Sequence, residues 1–150
     1  MISADTNIFV YLWDERDALK RAVAEDIVRG LTSVPSAIGL QSVGEVQNVL
    51  RRKFRLPVWE AAQRARNLLA AFEVFSASRA NAEESLGLMA AGRFAYWDAL
   101  LVTAARDAGC TVLFSEDMDD GMRLGPLEIV NPFGVDGMSD RARLLLEAAA

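Results

Sequence analysis

Histidine is absent from the 150-residue sequence, and that absence removes more chemistry than any other feature of the composition. Without imidazole there is no Ser-His-Asp triad, no Cys-His pair, no imidazole-based ribonuclease chemistry and no His-ligated metal. Cysteine is nearly as scarce. The single Cys110 excludes an internal disulfide framework and a Cys-rich zinc site, and it reads as a small buried apolar residue. No apolar run approaches the ~20 residues that span a bilayer, and the N-terminus lacks a signal-peptide layout, so a cytoplasmic location is expected. Positive charge is also short: 16 Lys and Arg stand against 21 Asp and Glu, a net charge of −5. A protein that coats duplexes has the opposite balance, so a nucleic-acid substrate here would need bound cations for part of its attraction. What remains for catalysis is mainly carboxylates, with Lys, Ser, Thr and Tyr as lesser candidates.

Apolar types make up 52% of the residues and charged types 25%, the profile of a soluble globular chain. Chains of this length bury about 68–70% of their unfolded surface and fold alone. No linker, low-complexity tract or internal repeat divides the sequence, which predicts one domain over residues 1–134 and a C-terminal tail or short helix over 135–150. The four prolines, Pro35, Pro57, Pro126 and Pro132, fall between periodic segments and mark element boundaries. Strands are predicted over 2–4, 34–38, 73–75, 111–114 and 127–130. Helices are predicted over 17–31, 40–54, from Pro57 to about Phe72, and over 81–91 and 96–108. The last is closed by Gly109. Alternating strands and helices imply an α/β fold with a parallel sheet, whose ligands bind beyond the carboxyl ends of the strands.

That rule gives the acids meaning by position. Asp5 follows the first strand, and Asp117 follows the strand ending at Phe114, so both can enter one crevice. Asp98 opens the helix from Tyr96 in a largely apolar stretch and is either a cap or a ligand. On the helix from Leu40, the residues Val43, Val46, Leu50 and Phe54 form an apolar stripe, while Gln41, Glu45, Asn48 and Arg52 form a polar one. Glu45 points away from the apolar stripe, as a site residue or as a solvated glutamate. Four converging acids repel one another unless a cation intervenes, and an all-oxygen donor set selects Mg²⁺ or Mn²⁺ over zinc. Such ions support phosphoryl chemistry by activating water and polarising the phosphate. Thr6 and Ser115, next to Asp5 and Asp117, can orient these carboxylates or serve only as turn residues. The run Arg51-Arg52-Lys53 with Arg55 is the one dense basic patch. It is either a solvated helix end or a contact for a nucleic-acid backbone.

Five ordered blocks resemble the PIN-domain family: Asp5-Thr6-Asn7; Glu45 followed by Val49-Leu50-Arg51-Arg52-Lys53; Tyr96-Trp97-Asp98-Ala99-Leu100-Leu101; Leu113-Phe114-Ser115-Glu116-Asp117-Met118; and Asn131-Pro132-Phe133. They look most like the VapC-type toxins of bacterial toxin-antitoxin pairs. The resemblance implies a PIN-like fold with about five parallel strands between helices. It also implies a Mg²⁺- or Mn²⁺-dependent endoribonuclease toxin, a VapB-type antitoxin as partner, an RNA substrate, and a homodimer within a toxin-antitoxin hetero-oligomer. The family's acids map onto Asp5, Glu45, Asp98 and Asp117. Gly39 stands where similar chains often carry Ser, Gly44 interrupts the Glu45 helix, and Asp119 and Asp120 compete with Asp117 for the fourth place. Two other classes of function stand beside this one. One is a catalytically inactive PIN-fold module that binds protein. The other is a phosphatase of the haloacid dehalogenase type, which would want an acid where Asn7 stands.

Overall fold

The computed structural model describes all residues from Met1 to Ala150. Three short strands lie side by side and in parallel at its centre: β1 (Ile2–Ala4), β4 (Val112–Phe114) and β6 (Leu127–Val130). A second parallel pair joins β2 (Ala37–Gly39) to β3 (Glu73–Phe75). A parallel bridge between Ile2 and Ser36 brings that pair to the open edge of β1. The strands therefore run in the order β3-β2-β1-β4-β6, with β5 (Arg123–Leu124) added antiparallel on the outside of β6. The five expected strands are present. β5 was not expected, because its two residues pair only through the tight Gly125-Pro126 turn, where Gly125 has φ of 59°.

Side-chain alternation along the strands divides the core in two. Ile2, Ala4, Val112, Phe114 and Val130 face one cluster, which they share with α1 (Thr6–Tyr11), α2 (Ala18–Leu31), α3 (Leu40–Arg52) and α4 (Val58–Ala71). Leu113, Leu127 and Ile129 face the other, packed against α6 (Tyr96–Asp107) and flanked by α5 (Arg79–Ala90). The last helix, α7 (Asp140–Ala149), is capped by Ser139 and sends Ala142 and Leu146 into the first cluster. Its approach to α2 needs Gly30, since a Cβ there would lie 2.8 Å from Leu146 Cδ1.

Element boundaries moved where local chemistry overrode periodicity. The second strand was expected from Val34, yet it begins at Ala37. Val34 is still in the turn that ends α2, its N–H donating to Leu31 O at 3.5 Å, and Ser36 Oγ donates to the same carbonyl at 2.7 Å. α5 starts two residues before its expected first residue because Ser78 and Asn81 form a reciprocal capping box. α3 ends at Arg52 rather than Phe54, and the chain turns sharply at Arg55, whose φ is 56°.

Candidate active site

The carboxyl ends of β1, β2 and β4 point the same way, and the chain leaves each of them into a segment that carries acids. Asp5 follows β1 directly. Its amide donates to Phe114 O at 2.9 Å, extending the β1-β4 ladder by one bond. Its carboxylate caps α1, accepting from Thr6 N at 2.6 Å. Ser115, buried just past β4, donates Oγ to the other oxygen of Asp5 at 3.0 Å and accepts the Asp117 N–H at 3.3 Å. One hydroxyl thus ties the two strand ends together. Asn7 Nδ2 donates to Asp117 from the first turn of α1.

Glu45 sits on the second turn of α3, which follows β2 without an intervening loop. It is half-buried and doubly held, accepting from the buried Thr6 hydroxyl at 2.6 Å and from Gln41 Nε2 at 2.8 Å. Thr6 therefore orients Glu45, whereas its backbone N–H serves Asp5. α3 runs unbroken through Gly44 with both anchors of Glu45 in place, and a side chain at that position would face open space. Gly39 has a packing reason: a Cβ there would lie 2.9 Å from Leu101 Cδ1.

Asp98 is not the cap of α6. That place belongs to Ala95, which has no side chain to cap with, and Asp98 lies in the first turn, where the helix dipole favours an anion. Burial raises its pKa, and the charges of Asp117 and Glu45 raise it further. Asp5 is affected more strongly. Burial pushes its pKa up to about 6, with smaller upward contributions from Asp117 and Asp98, against the lowering effect of its bonds to Thr6 and Ser115. The charges of Asp117 and Asp98 thus reach Asp5, and those of Asp117 and Glu45 reach Asp98, at the carboxyl ends of the strands. Asp119 and Asp120 are exposed, as Asp117 is, but the bonds with Asn7 and Ser115 are made by Asp117, and Asp120 is engaged with the Asn131 N–H at 2.8 Å.

The donor set suits a hard divalent cation: oxygen only, with two acids whose ionisation is opposed by burial and like charge. No three of the acids close into a ready-made ligand cage. An ion held here would complete its shell with waters or substrate phosphate oxygens, as Mg²⁺ does.

A support for Asp117 went unread in the sequence. Glu116, its neighbour, accepts from Lys20 Nζ at 2.7 Å and from the Tyr11 hydroxyl, and Lys20 also donates to Tyr11 Oη at 3.0 Å. The ammonium lies 4.8 Å from the Tyr11 ring centroid and 5.5 Å from that of Phe133. α1 and α2 thereby grip the loop after β4. No spacing rule links Lys20 to Glu116, which are 96 residues apart. The basic residues Arg51, Arg52 and Lys53 are exposed at the far end of α3. Arg52 shares the helix face of Glu45 two turns on, about 10 Å along the axis.

Sheet order and acid placement define a class before any relative is considered: an α/β protein with carboxylates gathered at the carboxyl ends of its parallel strands. The chain belongs to the PIN domain family, whose model matches residues 2–121. Among solved structures, a toxin-antitoxin complex from Klebsiella pneumoniae is similar over 90% of this chain and 100% of its own, at 21% identity and a TM-score of 0.67. Mycobacterium tuberculosis VapC20, a sarcin-ricin-loop-cleaving toxin, is similar over 78% of this chain and 92% of its own, at 20% identity and a TM-score of 0.64. VapBC2 from Rickettsia felis, bound to a DNA fragment from its promoter, covers 87% of this chain and 98% of its own, at 18% identity and a TM-score of 0.60. Comparison with curated protein sequences finds no match. No helix is long and apolar enough to cross a membrane.

Proposed function

We propose that the chain is a Mg²⁺- or Mn²⁺-dependent endoribonuclease, the toxin of a toxin-antitoxin pair, working in the cytoplasm on RNA phosphodiester bonds. The observation that carries this reading is the linked set of acids at the strand ends. Asp5 and Asp117 are joined through Ser115, Glu45 is held by Thr6 and Gln41, and Asp98 lies within reach of their charges, in a chain with no histidine. Asp5, Glu45, Asp98 and Asp117 would hold the cation, which when bound would polarise the phosphate and lower the pKa of water. Ser115 and Thr6 fix the carboxylates that face it, so that little reorganisation is needed when substrate arrives. Cleavage of RNA with Mn²⁺ or Mg²⁺, set against the same reaction in chelator, tests the reading. Equal cleavage in both would end it.

The basic end of α3 would guide the RNA backbone, because Arg52 lies on the face of Glu45 in an otherwise acidic chain. Replacing Arg51, Arg52 and Lys53 together by Gln is expected to weaken RNA binding and flatten its salt dependence by about 0.7 log units per lost phosphate contact on a single strand. An unchanged salt slope would leave the three as a solvated helix end.

Control would come from a VapB-type antitoxin, bound to a homodimer of this chain in a hetero-oligomer. An open pocket of about 570 Å³, where Leu12, Trp13, Phe54 and Leu56 lie among the charged Asp14, Glu15, Arg16, Arg21 and Arg64, would give an amphipathic partner helix both apolar and ionic contacts. The acidic crevice suits an arginine from the same partner, which would compete with the cation for Asp5, Asp98 or Asp117. Partner and metal should then lower each other's affinity by one common factor. Calorimetric titration of the partner at rising Mn²⁺ measures that factor. An affinity indifferent to metal would mean that the partner blocks RNA access alone.

A further inference from the structure

Glu116 and Asp117 are consecutive acids past the carboxyl end of β4, and α1 binds both of them. Asn7 and Tyr11 stand four residues apart on that helix, hence on one face; Asn7 Nδ2 donates to Asp117 and the Tyr11 hydroxyl donates to Glu116. The ammonium of Lys20 goes to only one of the two acids. Lys20 Nζ donates to Glu116 at 2.7 Å and to Tyr11 Oη at 3.0 Å, and the Glu116 side chain is only 14% exposed. Lys20 is itself confined, 4.8 Å from the Tyr11 ring centroid and 5.5 Å from that of Phe133, two rings that meet edge-on with centroids 5.5 Å apart.

The result is a division of charge between neighbours. Glu116 has both oxygens bonded and its charge cancelled, whereas Asp117 is exposed and its carboxylate accepts from a neutral amide. No ion pair of the fold engages Asp5, Glu45, Asp98 or Asp117. Glu116 is therefore the acid of this loop that the fold pairs with a cation of its own. Stripped of its ammonium, a largely buried carboxylate is left uncompensated, which is costly. A divalent ion held by the next residue in the chain would offer it a replacement.

We infer that Lys20, with Tyr11, selects Asp117 over Glu116 as the acid that faces a divalent cation, by holding Glu116 against α1 and α2 and cancelling its charge. The inference rests on the divalent-cation reading above and deepens it. Lys20 is a positioning residue, acting through Glu116 on which of two adjacent carboxylates serves.

The test is a mutant cycle read with Mn²⁺ alone, titrated into the full chain while electron paramagnetic resonance follows the free ion. Glu116→Gln should weaken Mn²⁺ binding by a factor at least about 5 times larger in a Lys20→Met background than in the wild type, because Glu116 then serves as a ligand. Asp117→Asn should do the reverse and cost less in the Lys20→Met background, since Glu116 takes its place. Tyr11→Phe removes a donor from Glu116 without changing any charge, and it should move both factors the same way by a smaller amount. A loop that merely loosens does not turn Glu116 into a ligand, so the exchange between the two acids separates positioning from support. Equal factors in all backgrounds are what charges acting at a distance produce, and they overturn the proposal. If Lys20→Met melts below the assay temperature, the Tyr11→Phe background decides by the same criterion. Wild-type protein that binds no Mn²⁺ ends the cation reading and the selection with it, whereas equal factors with Mn²⁺ bound end the selection alone.

Discussion

Asp98→Asn should leave a folded protein that no longer cleaves RNA. The amide keeps the shape of the carboxylate but not the charge that would hold a cation, and removing one preorganised electrostatic contact costs on the order of 100- to 1000-fold in rate. The fold should not suffer. Asp98 does not cap α6, and burial together with the charges of Asp117 and Glu45 opposes its ionisation, so the folded protein bears a cost at neutral pH that Asn removes. A metal-free melting temperature at or above that of the wild type, together with lost cleavage, is the expected pair of results. Full cleavage by the variant would take Asp98 out of the site. Lost cleavage with a collapsed melting temperature would give it a structural role instead.

The second large effect is on stability against pH. Asp5 has a pKa of about 6 in the folded chain against an ordinary value of 3.8. For an acid shifted upward, the folded state holds the proton more tightly than the unfolded state does. The cost is absent below pH 3.8, grows as pH rises, and is complete above about 6. Two pKa units correspond to about 3 kcal/mol. The metal-free protein should therefore lose stability between about pH 4 and 6, and the upward shift of Asp98 acts in the same direction. Glu84 and Asp107, held below their ordinary values by Arg106, act oppositely but at lower pH. A divalent cation in the crevice favours the ionised acids, so saturating Mg²⁺ or Mn²⁺ should flatten the slope. Urea denaturation at pH 5 and pH 7, with and without chelator, measures this. Asp5→Asn should give a shallower profile without metal, keeping only the part that Asp98 contributes, and a wild-type slope in that variant would assign the dependence to other groups.

Both effects come from acids that the sequence could locate but not connect. Asp5 after an apolar strand, Asp117 after another, and Glu45 off the apolar stripe of its helix were legible because strand ends and helix faces are local patterns. The bonds that make these acids a site were not. Ser115 reaches Asp5 across 110 residues, and Thr6 reaches Glu45 across 39. Each bond depends on which strands are neighbours, and no local periodicity records that. The same holds for Asn7 on Asp117 and for the grip of Lys20 and Tyr11 on Glu116. Asp98 shows the limit most directly. Its sequence surroundings allowed a cap or a ligand, and only the backbone path, which makes Ala95 the cap, removed one of the two.

By itself, then, the sequence determined the order and type of the elements apart from the two-residue β5. Amphipathic repeats, proline boundaries and glycine stops act over a few residues, and they suffice to form a strand or a helix wherever it ends up. It also determined which chemistry was available, since a chain without histidine and with one cysteine leaves carboxylates as its reactive groups. Tertiary structure alone decided the strand order β3-β2-β1-β4-β6-β5 and, through it, which acids come near one another at the strand ends. It also decided that the pKa values of Asp5 and Asp98 rise. Burial and the charge of neighbours distant in sequence come into being only when the chain closes on itself, and for Asp5 they are the forces that raise the pKa.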